Sequence, residues 1–185
     1  MNASSWAVGI ALLFGSIRAV ELLRSAPKVD VVNVVVLSAL AEGRGRDLDA
    51  LLVGRSPYFD VVRALVRPLE KLTAADDDRA LRKRLEREMM VALASANRAL
   101  RRFAWLDSLA LVAIAFAGIS AAVDRHATLV LALELFAATL LWLSNVRGTR
   151  SIATRLYAGA TALIDGLLKG RDMIREAHGA GDPRP

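Results

Sequence analysis

Two carboxylates stand inside long apolar runs of this sequence, and they are its first candidates for chemistry. Glu134 is the only ionisable residue between Ala127 and Ser144, and Asp107 is the only one between Phe103 and Val123. A charge near the centre of a bilayer costs roughly 2.5–3.5 kcal/mol, so such a residue should face protein or water. Because low polarity disfavours the charged form, Glu134 could carry a proton. It could equally donate a hydrogen bond that holds helices together, and the sequence leaves both roles open.

The other polar residues of these runs are weaker candidates for an ion pathway. Asp107 could be a proton relay or an interfacial charge, and we favour the interfacial charge. Ser120 and Thr139 could line a pathway, but hydroxyls in membrane helices commonly bond to their own backbone. Thr139 lies about 140° around the helix from Glu134, so the two need not share one site. Gly118 is expected to allow close helix contact.

The residue inventory argues against most enzyme classes. The chain of 185 residues has no cysteine and only two histidines, which excludes thiolate chemistry and disfavours a histidine-rich metal centre. The polar break Glu42-Gly-Arg-Gly-Arg46 lacks the spacing and the following Lys-Ser/Thr of a phosphate-binding loop. Neither a Ser/His/Asp set nor a dinucleotide fingerprint is present. We therefore expect no catalysis, no cofactor and no metal site.

Three apolar stretches are long enough to cross a bilayer, which requires roughly 20 helical residues. The first runs from Ala3 to about Leu23, and stretches at 103–123 and 127–144 follow. A cleaved signal peptide is the alternative for the first stretch, but no basic residue precedes its apolar part. Arg18 and Glu21 lie three residues apart in it and could pair, or Arg18 could extend toward the headgroups.

The second and third stretches should form an antiparallel hairpin, because only Asp124-Arg125-His126 separates their apolar parts. A hairpin buried inside a soluble protein is the alternative. The composition is 55% hydrophobic and 24% charged, and the two classes are segregated along the chain. This segregation, together with the length of both runs, favours an all-α integral membrane protein with three transmembrane helices.

The distribution of Lys and Arg predicts the orientation in the membrane. Residues 24–102 carry 16 of the 25 Lys and Arg residues and residues 145–185 carry seven, whereas the hairpin tip carries one. These two segments should therefore be cytoplasmic, with the N-terminus and the hairpin tip outside. The net charge of +6 is then explained by retention of the loops and by contact with anionic lipids, so no nucleic-acid partner is expected.

Residues 24–102 should form a helical cytoplasmic insert and stalk. The β-branched run from Val31 to Leu37 also suits a strand, but no second strand is available to pair with it, so we prefer a helix. From about Asp77 to Val123, apolar residues recur every three or four positions, which predicts one helix of roughly 70 Å. Residues 145–178 should form a second long cytoplasmic helix beside this stalk, followed by a flexible tail at 179–185.

Two local patterns resemble the MotA/TolQ/ExbB proton-channel family. The stretch from Ala39 to Ala50 is similar to the family's glycine turn before a helix that begins with an acidic residue. The run Glu134-Leu-Phe-Ala-Ala-Thr139 resembles the third-span pattern of a Glu followed five residues later by a Thr. The layout of one early span, a cytoplasmic insert and two later spans that extend into the cytoplasm also resembles this family.

The resemblance implies a bacterial inner-membrane protein that forms a homopentamer around two copies of a single-span partner with a membrane Asp. It also implies that proton flow past Glu134 does mechanical work. Self-association would bury Glu134 and the apolar stripe that a lone stalk would expose. The second span departs from the family, because Ala115-Phe-Ala-Gly-Ile-Ser120 stands in place of a stretch with a Pro and a final Gly-Thr-Val. We therefore keep two hypotheses: a subunit of an ion-driven motor, and a non-conducting oligomeric scaffold or regulator.

Overall fold

The chain was analysed as a computed structural model, which describes residues 3–26, 28–42, 44, 48–52, 56–67, 78–123 and 129–179. No strand occurs among these residues, so the helical prediction for Val31 to Leu37 is confirmed. The predicted hairpin tip at 124–126 lies outside the described residues, and so does the predicted tail at 179–185 apart from Gly179, which ends α7. The helices are α1 (Ala3–Ser25), α2 (Val29–Ala41), α3 (Leu48–Leu51), α4 (Pro57–Val66), α5 (Asp78–Arg101), α6 (Ala104–Val123) and α7 (Leu129–Gly179).

Three helical segments in the described part of the chain are long and apolar enough to cross a membrane. They contain α1, α6 and the first part of α7, which are the three stretches that the sequence predicts as spans. The fold separates into two compact units. The first comprises residues 1–26 and 98–153, and the second comprises residues 27–97 and 154–185.

The first unit packs α1 against α6 and the first part of α7. Phe14 on α1 meets Trp105 at the beginning of α6, with ring centroids 6.4 Å apart. Val8, nearer the start of α1, lies in an apolar cluster with Ala117, nearer the end of α6. The two helices therefore run antiparallel. The large apolar side chains on the outer faces of all three helices are exposed, as expected for surfaces that meet lipid. Examples are Trp6, Leu13, Val112, Ile119, Leu133 and Phe136.

A glycine allows α1 and α7 to approach closely. A Cβ atom at Gly15 would lie 2.8 Å from a methyl carbon of Leu141, which no side chain at this position could tolerate without a shift of the leucine. Farther along, the corresponding position at Gly148 would lie 3.6 Å from Leu22, an ordinary contact. Gly15 faces Leu141, and Leu22, farther along α1, faces Gly148, farther along α7, so the two helices run parallel. Gly118 has no such neighbour within 4 Å, so the expected close helix contact at this glycine is not made within the described chain.

The structure interrupts the single long helix that the periodicity predicts between Asp77 and Val123. α5 ends at Arg101 and α6 begins at Ala104, with a turn at Arg102 and Phe103. Within this turn the Arg102 amide donates to the carbonyl of Ala99 at 3.2 Å, a shorter step than the α-helical one. The absence of proline and glycine therefore did not guarantee a continuous helix.

The second unit is built from α2, α3, α4, most of α5 and the later part of α7. The apolar stripe of α5, from Leu81 to Ala96, is buried in it. The expectation that a lone chain would expose this stripe is therefore wrong, because the chain covers it without a second copy. α4 buries Tyr58 and four aliphatic residues, and Ser56 caps its N-terminus by accepting a hydrogen bond from the Tyr58 amide at 3.4 Å.

Candidate functional site

A buried arginine joins the three apolar helices of the first unit. The side chain of Arg18, on α1, is only 2% exposed. Its Nε donates to Oδ2 of Asp107 on α6 at 3.3 Å, and its Nη2 donates to Oγ1 of Thr149 on α7 at 3.2 Å. The same Nη2 donates to the backbone carbonyl of Leu100 at 2.9 Å. One guanidinium group thus links all three helices and the end of α5.

The Leu100 carbonyl is available to Arg18 because of the turn between α5 and α6. In a continuous helix this carbonyl would accept from the amide of Ala104, four residues later. The turn at 102–103 ends α5 before that bond, and a carbonyl near a helix C-terminus is a favourable acceptor for a cation. The break in the predicted long helix and the buried position of Arg18 therefore belong to the same local arrangement.

Asp107 is a partner of this arginine and not a freely solvated charge. Its side chain is 15% exposed, and its Oδ2 faces Arg18. The other carboxylate oxygen, Oδ1, is buried and has no hydrogen-bond partner. Because an unpaired buried acceptor costs about 1–3 kcal/mol, Asp107 depends on Arg18 for its stability in this position.

α7 supplies two further polar groups next to Arg18. Asn145 is 3% exposed, and its Nδ2 donates to the backbone carbonyl of Gly15 at 2.9 Å. The hydroxyl of Thr149 donates to the carbonyl of Asn145 at 3.0 Å, which leaves its oxygen free to accept from Arg18. We call Arg18, Asp107, Asn145 and Thr149 the buried polar network.

The pairing of Arg18 with Glu21 expected from the sequence is wrong. Arg18 lies on the buried stripe of α1, whereas Glu21 is only half-buried and faces Arg24, 3.9 Å away. The physical reason is the helix rotation that places Gly15, Arg18 and Leu22 against the neighbouring helices. With its guanidinium directed inward, Arg18 donates to three acceptors.

Glu134 is not part of the buried polar network. It is half-buried on α7, and no described residue forms a hydrogen bond or ion pair with it. Its helix neighbours Leu131 and Leu135 pack in the apolar cluster with Ala117. Ala117 lies ten residues, about 15 Å, along α6 from Asp107. The carboxylates of Asp107 and Glu134 therefore lie at opposite ends of the unit.

The two hydroxyl candidates do not join either carboxylate. The hydroxyl of Thr139 donates to the carbonyl of Leu135 on its own helix, at 2.8 Å. Ser120 is half-buried on α6, thirteen residues or about 20 Å from Asp107. No hydrogen bond joins either hydroxyl to Asp107 or Glu134 among the described residues, and Asp107 lies too far along α6 to share one site with Ser120.

Sequence reasoning missed Asn145 and Thr149, and it assigned Arg18 the wrong partner. A signal was present, because a charged residue inside a predicted span normally faces the bundle interior and has a partner. Asn145 and Thr149 are also four residues apart, so they share one face of α7. The partner carboxylate could not be chosen from the sequence, since Arg18 and Asp107 are 89 residues apart.

The second unit contains its own buried polar contact. The Tyr58 hydroxyl donates to Oδ1 of Asn33 at 2.6 Å, and Nδ2 of Asn33 donates to the carbonyl of Gly159 at 2.9 Å. Burial raises the pKa of Tyr58 to about 12. A Cβ at Gly159 would lie 1.9 Å from a Val29 methyl carbon, so this contact needs a glycine. These residues fix α2 and α4 on α7.

The arrangement of the buried polar network suits the fixing of helices better than chemistry. The arginine has three acceptors, and its carboxylate partner is held in an ion pair. Among the described residues, no three His, Cys, Asp or Glu side chains come together as metal ligands. Comparisons with protein-family models, curated proteins and solved structures found no match to this chain.

Proposed function

We propose that this chain is a ring-forming subunit of a membrane complex driven by the proton-motive force. The observation that carries the proposal is Glu134, a half-buried carboxyl that has no polar partner among the described residues. Its helix is one of three that are long and apolar enough to span a membrane. An ionisable group at membrane depth needs protein or water around it, and a second chain can cover it or enclose a water-filled space beside it.

Self-association places Glu134 where it could bind and release protons. A ring of such subunits puts one carboxyl from each copy near a shared axis, where a partner helix with its own membrane Asp would fit. About five copies around two single-span partners is the arrangement that the resemblance to MotA/TolQ/ExbB proteins implies. We place the complex in the bacterial inner membrane, with the N-terminus outside and the C-terminus cytoplasmic, because Lys and Arg concentrate in residues 24–102 and 145–185.

A non-conducting membrane scaffold or regulator is the second candidate function. It is favoured by the ion pair of Asp107 with Arg18 and by the hydroxyl of Thr139, which bonds to its own helix. An arginine stays charged, so its ion pair with Asp107 favours a structural role for this carboxylate over a proton relay. In the scaffold, Glu134 would form a hydrogen bond across a subunit interface.

Two substitutions of Glu134 separate these functions. Glu134→Gln keeps the size and hydrogen-bonding capacity of the side chain but removes its ability to bind and release a proton. In a motor subunit, this variant should assemble normally and lose proton flux. In a scaffold it should be nearly silent, whereas Glu134→Leu should weaken the oligomer because the hydrogen bond is lost. We expect loss of flux with an intact oligomer.

The measurement is proton uptake by liposomes that contain the protein with its single-span partner, alongside native mass spectrometry of the same preparation. Glu88→Gln is the matched control, since Glu88 is half-buried on α5 outside the predicted spans. This control should keep both flux and assembly. Normal flux in the Glu134→Gln variant would end the proton-carrier role, and a purely monomeric parent protein in mild detergents would end both candidate functions.

A further inference from the structure

A groove of about 770 Å³ lies between the beginning of α2 and α7, within the second unit. Lys28, immediately before α2, and Arg155, on α7, both line it, and both side chains are exposed. Neither forms an ion pair with another described residue. Asp30 is the one carboxylate among the lining residues, so two cations and one anion give the lining a net charge of +1. The rest of the lining is apolar or small: Val29, Val31, Ala158, Gly159 and Ala162.

Each cation of this groove follows a predicted span in the sequence, Lys28 after α1 and Arg155 after the span at 127–144. Lys28 is the third residue after Ser25, the last residue of α1. Three residues span at most about 11 Å, so the ammonium group cannot lie far from the end of this predicted span. Arg155 is six residues after Thr149 on the continuous helix α7, a rise of about 9 Å. Both cations are therefore only a few residues along the chain from helical segments of the first unit.

We propose that this groove binds the headgroup of an anionic phospholipid from the cytoplasmic leaflet. The phosphate would accept hydrogen bonds from Lys28 and Arg155, which are the two kinds of side chain that recognise phosphate best. Asp30 would accept from a headgroup hydroxyl, such as those of phosphatidylglycerol. The proposal rests on the membrane placement in the proposed function, but it assigns a specific ligand to residues with no part in proton transfer.

A lipid fits this groove better than a soluble phosphate does. The lining combines two phosphate-binding cations with valine and alanine surface, which suits the junction between a headgroup and its glycerol-linked chains. Val31 is 58% exposed at the edge of the groove, and Val34 on the same side of α2 is 67% exposed. Basic pockets at the cytoplasmic ends of membrane helices characteristically hold anionic headgroups.

The test is native mass spectrometry of the full-length protein in detergent, titrated with phosphatidylglycerol or with zwitterionic phosphatidylcholine. The parent protein should bind phosphatidylglycerol at least tenfold more tightly. The single variants Lys28→Gln and Arg155→Gln should each lose about fivefold, and the double variant about 25-fold, as expected for removal of cations at a membrane surface. Lys83→Gln with Arg84→Gln is the matched control, because it removes one Lys and one Arg that are exposed on α5 outside the groove.

Three results would overturn the inference. The first is equal binding of the two lipids by the parent protein, and the second is unchanged selectivity in the double variant at Lys28 and Arg155. The third is displacement of phosphatidylglycerol by millimolar inorganic phosphate, which would identify a site for soluble anions. The same spectra report the number of subunits. A monomer with a selective groove would therefore contradict only the proposed function, whereas an oligomer without selectivity would contradict only the lipid site.

Discussion

Replacement of Arg18 by leucine tests whether the buried polar network holds the membrane helices together. The variant removes three hydrogen bonds, to Asp107, Thr149 and the Leu100 carbonyl. Hydrogen bonds between membrane helices contribute about 0.6 kcal/mol on average and up to about 1.7 kcal/mol. The stranded Asp107 carboxylate adds a penalty, since its Oδ1 already has no partner. Loss of one member of a buried ion pair costs about 3–5 kcal/mol, which is the loss of stability that we expect.

The double variant Arg18→Leu with Asp107→Leu separates a lost ion pair from general disruption of packing. Removing both charges leaves no buried ion without a partner, so most of the stability lost in either single variant should return. The assay is unfolding in detergent micelles by a denaturant, followed by circular dichroism, for the parent, both single variants and the double variant. A double-mutant cycle then gives the coupling energy, which should be at least about 1.5 kcal/mol.

Arg24→Leu is the matched control for this cycle. Arg24 is also on α1, but its side chain is 71% exposed and its pairing with Glu21 is 3.9 Å long. Exposed pairs of this kind contribute about 0–1 kcal/mol, so the control should unfold almost like the parent. A fully stable Arg18→Leu variant, or a double variant as unstable as the sum of the two single variants, would refute the structural role of the network.

Two further predictions concern the second unit and the orientation of the chain. Tyr58→Phe should lower the free energy of unfolding by about 1–3 kcal/mol, because it leaves Oδ1 of Asn33 buried without a donor. Urea unfolding measures this loss, and Tyr157→Phe, at an exposed tyrosine, is the control. The pKa of Tyr58 in the folded protein is about 12, against an ordinary 10.0. The stability that this shift contributes is complete below pH 10 and is lost as the pH rises toward 12. The free energy of unfolding of Tyr58→Phe should lack this pH dependence. In this cysteine-free chain, a cysteine at position 90 should react with an impermeant reagent only from the cytoplasmic side, and one at position 125 only from outside; the opposite pattern would contradict the orientation.

The helical class and the three apolar segments were predictable because they depend on local sequence. A helix of roughly 20 apolar residues satisfies its own backbone in lipid, whatever surrounds it. The same reasoning recovered α2, although Val31 to Leu37 is β-branched, because a lone strand has no partner for its hydrogen bonds. Each of these conclusions needed only length, hydropathy and the absence of a competing element.

The turn at Arg102 and Phe103 was not predictable in this way. No proline or glycine marks it, and apolar residues recur through it at helical spacing. Its stability depends on a side chain 82 residues away, since Arg18 binds the Leu100 carbonyl that the turn releases. Pattern analysis detects what a segment prefers alone, whereas this break is favoured by a contact from another helix.

The buried polar network contains Asp107, and it also bears on the orientation of Glu134. Asn145 and Thr149 fix the rotation of α7 about its axis, because they bond to the Gly15 carbonyl and to Arg18. Glu134 lies on the same continuous helix, eleven residues or about 16 Å before Asn145. Eleven residues are close to three full turns, so the direction in which the Glu134 carboxyl points follows directly from the orientation that Asn145 imposes. Whether Glu134 carries a proton or joins two subunits, its orientation therefore depends on the hydrogen bonds of Asn145 and Thr149 farther along α7.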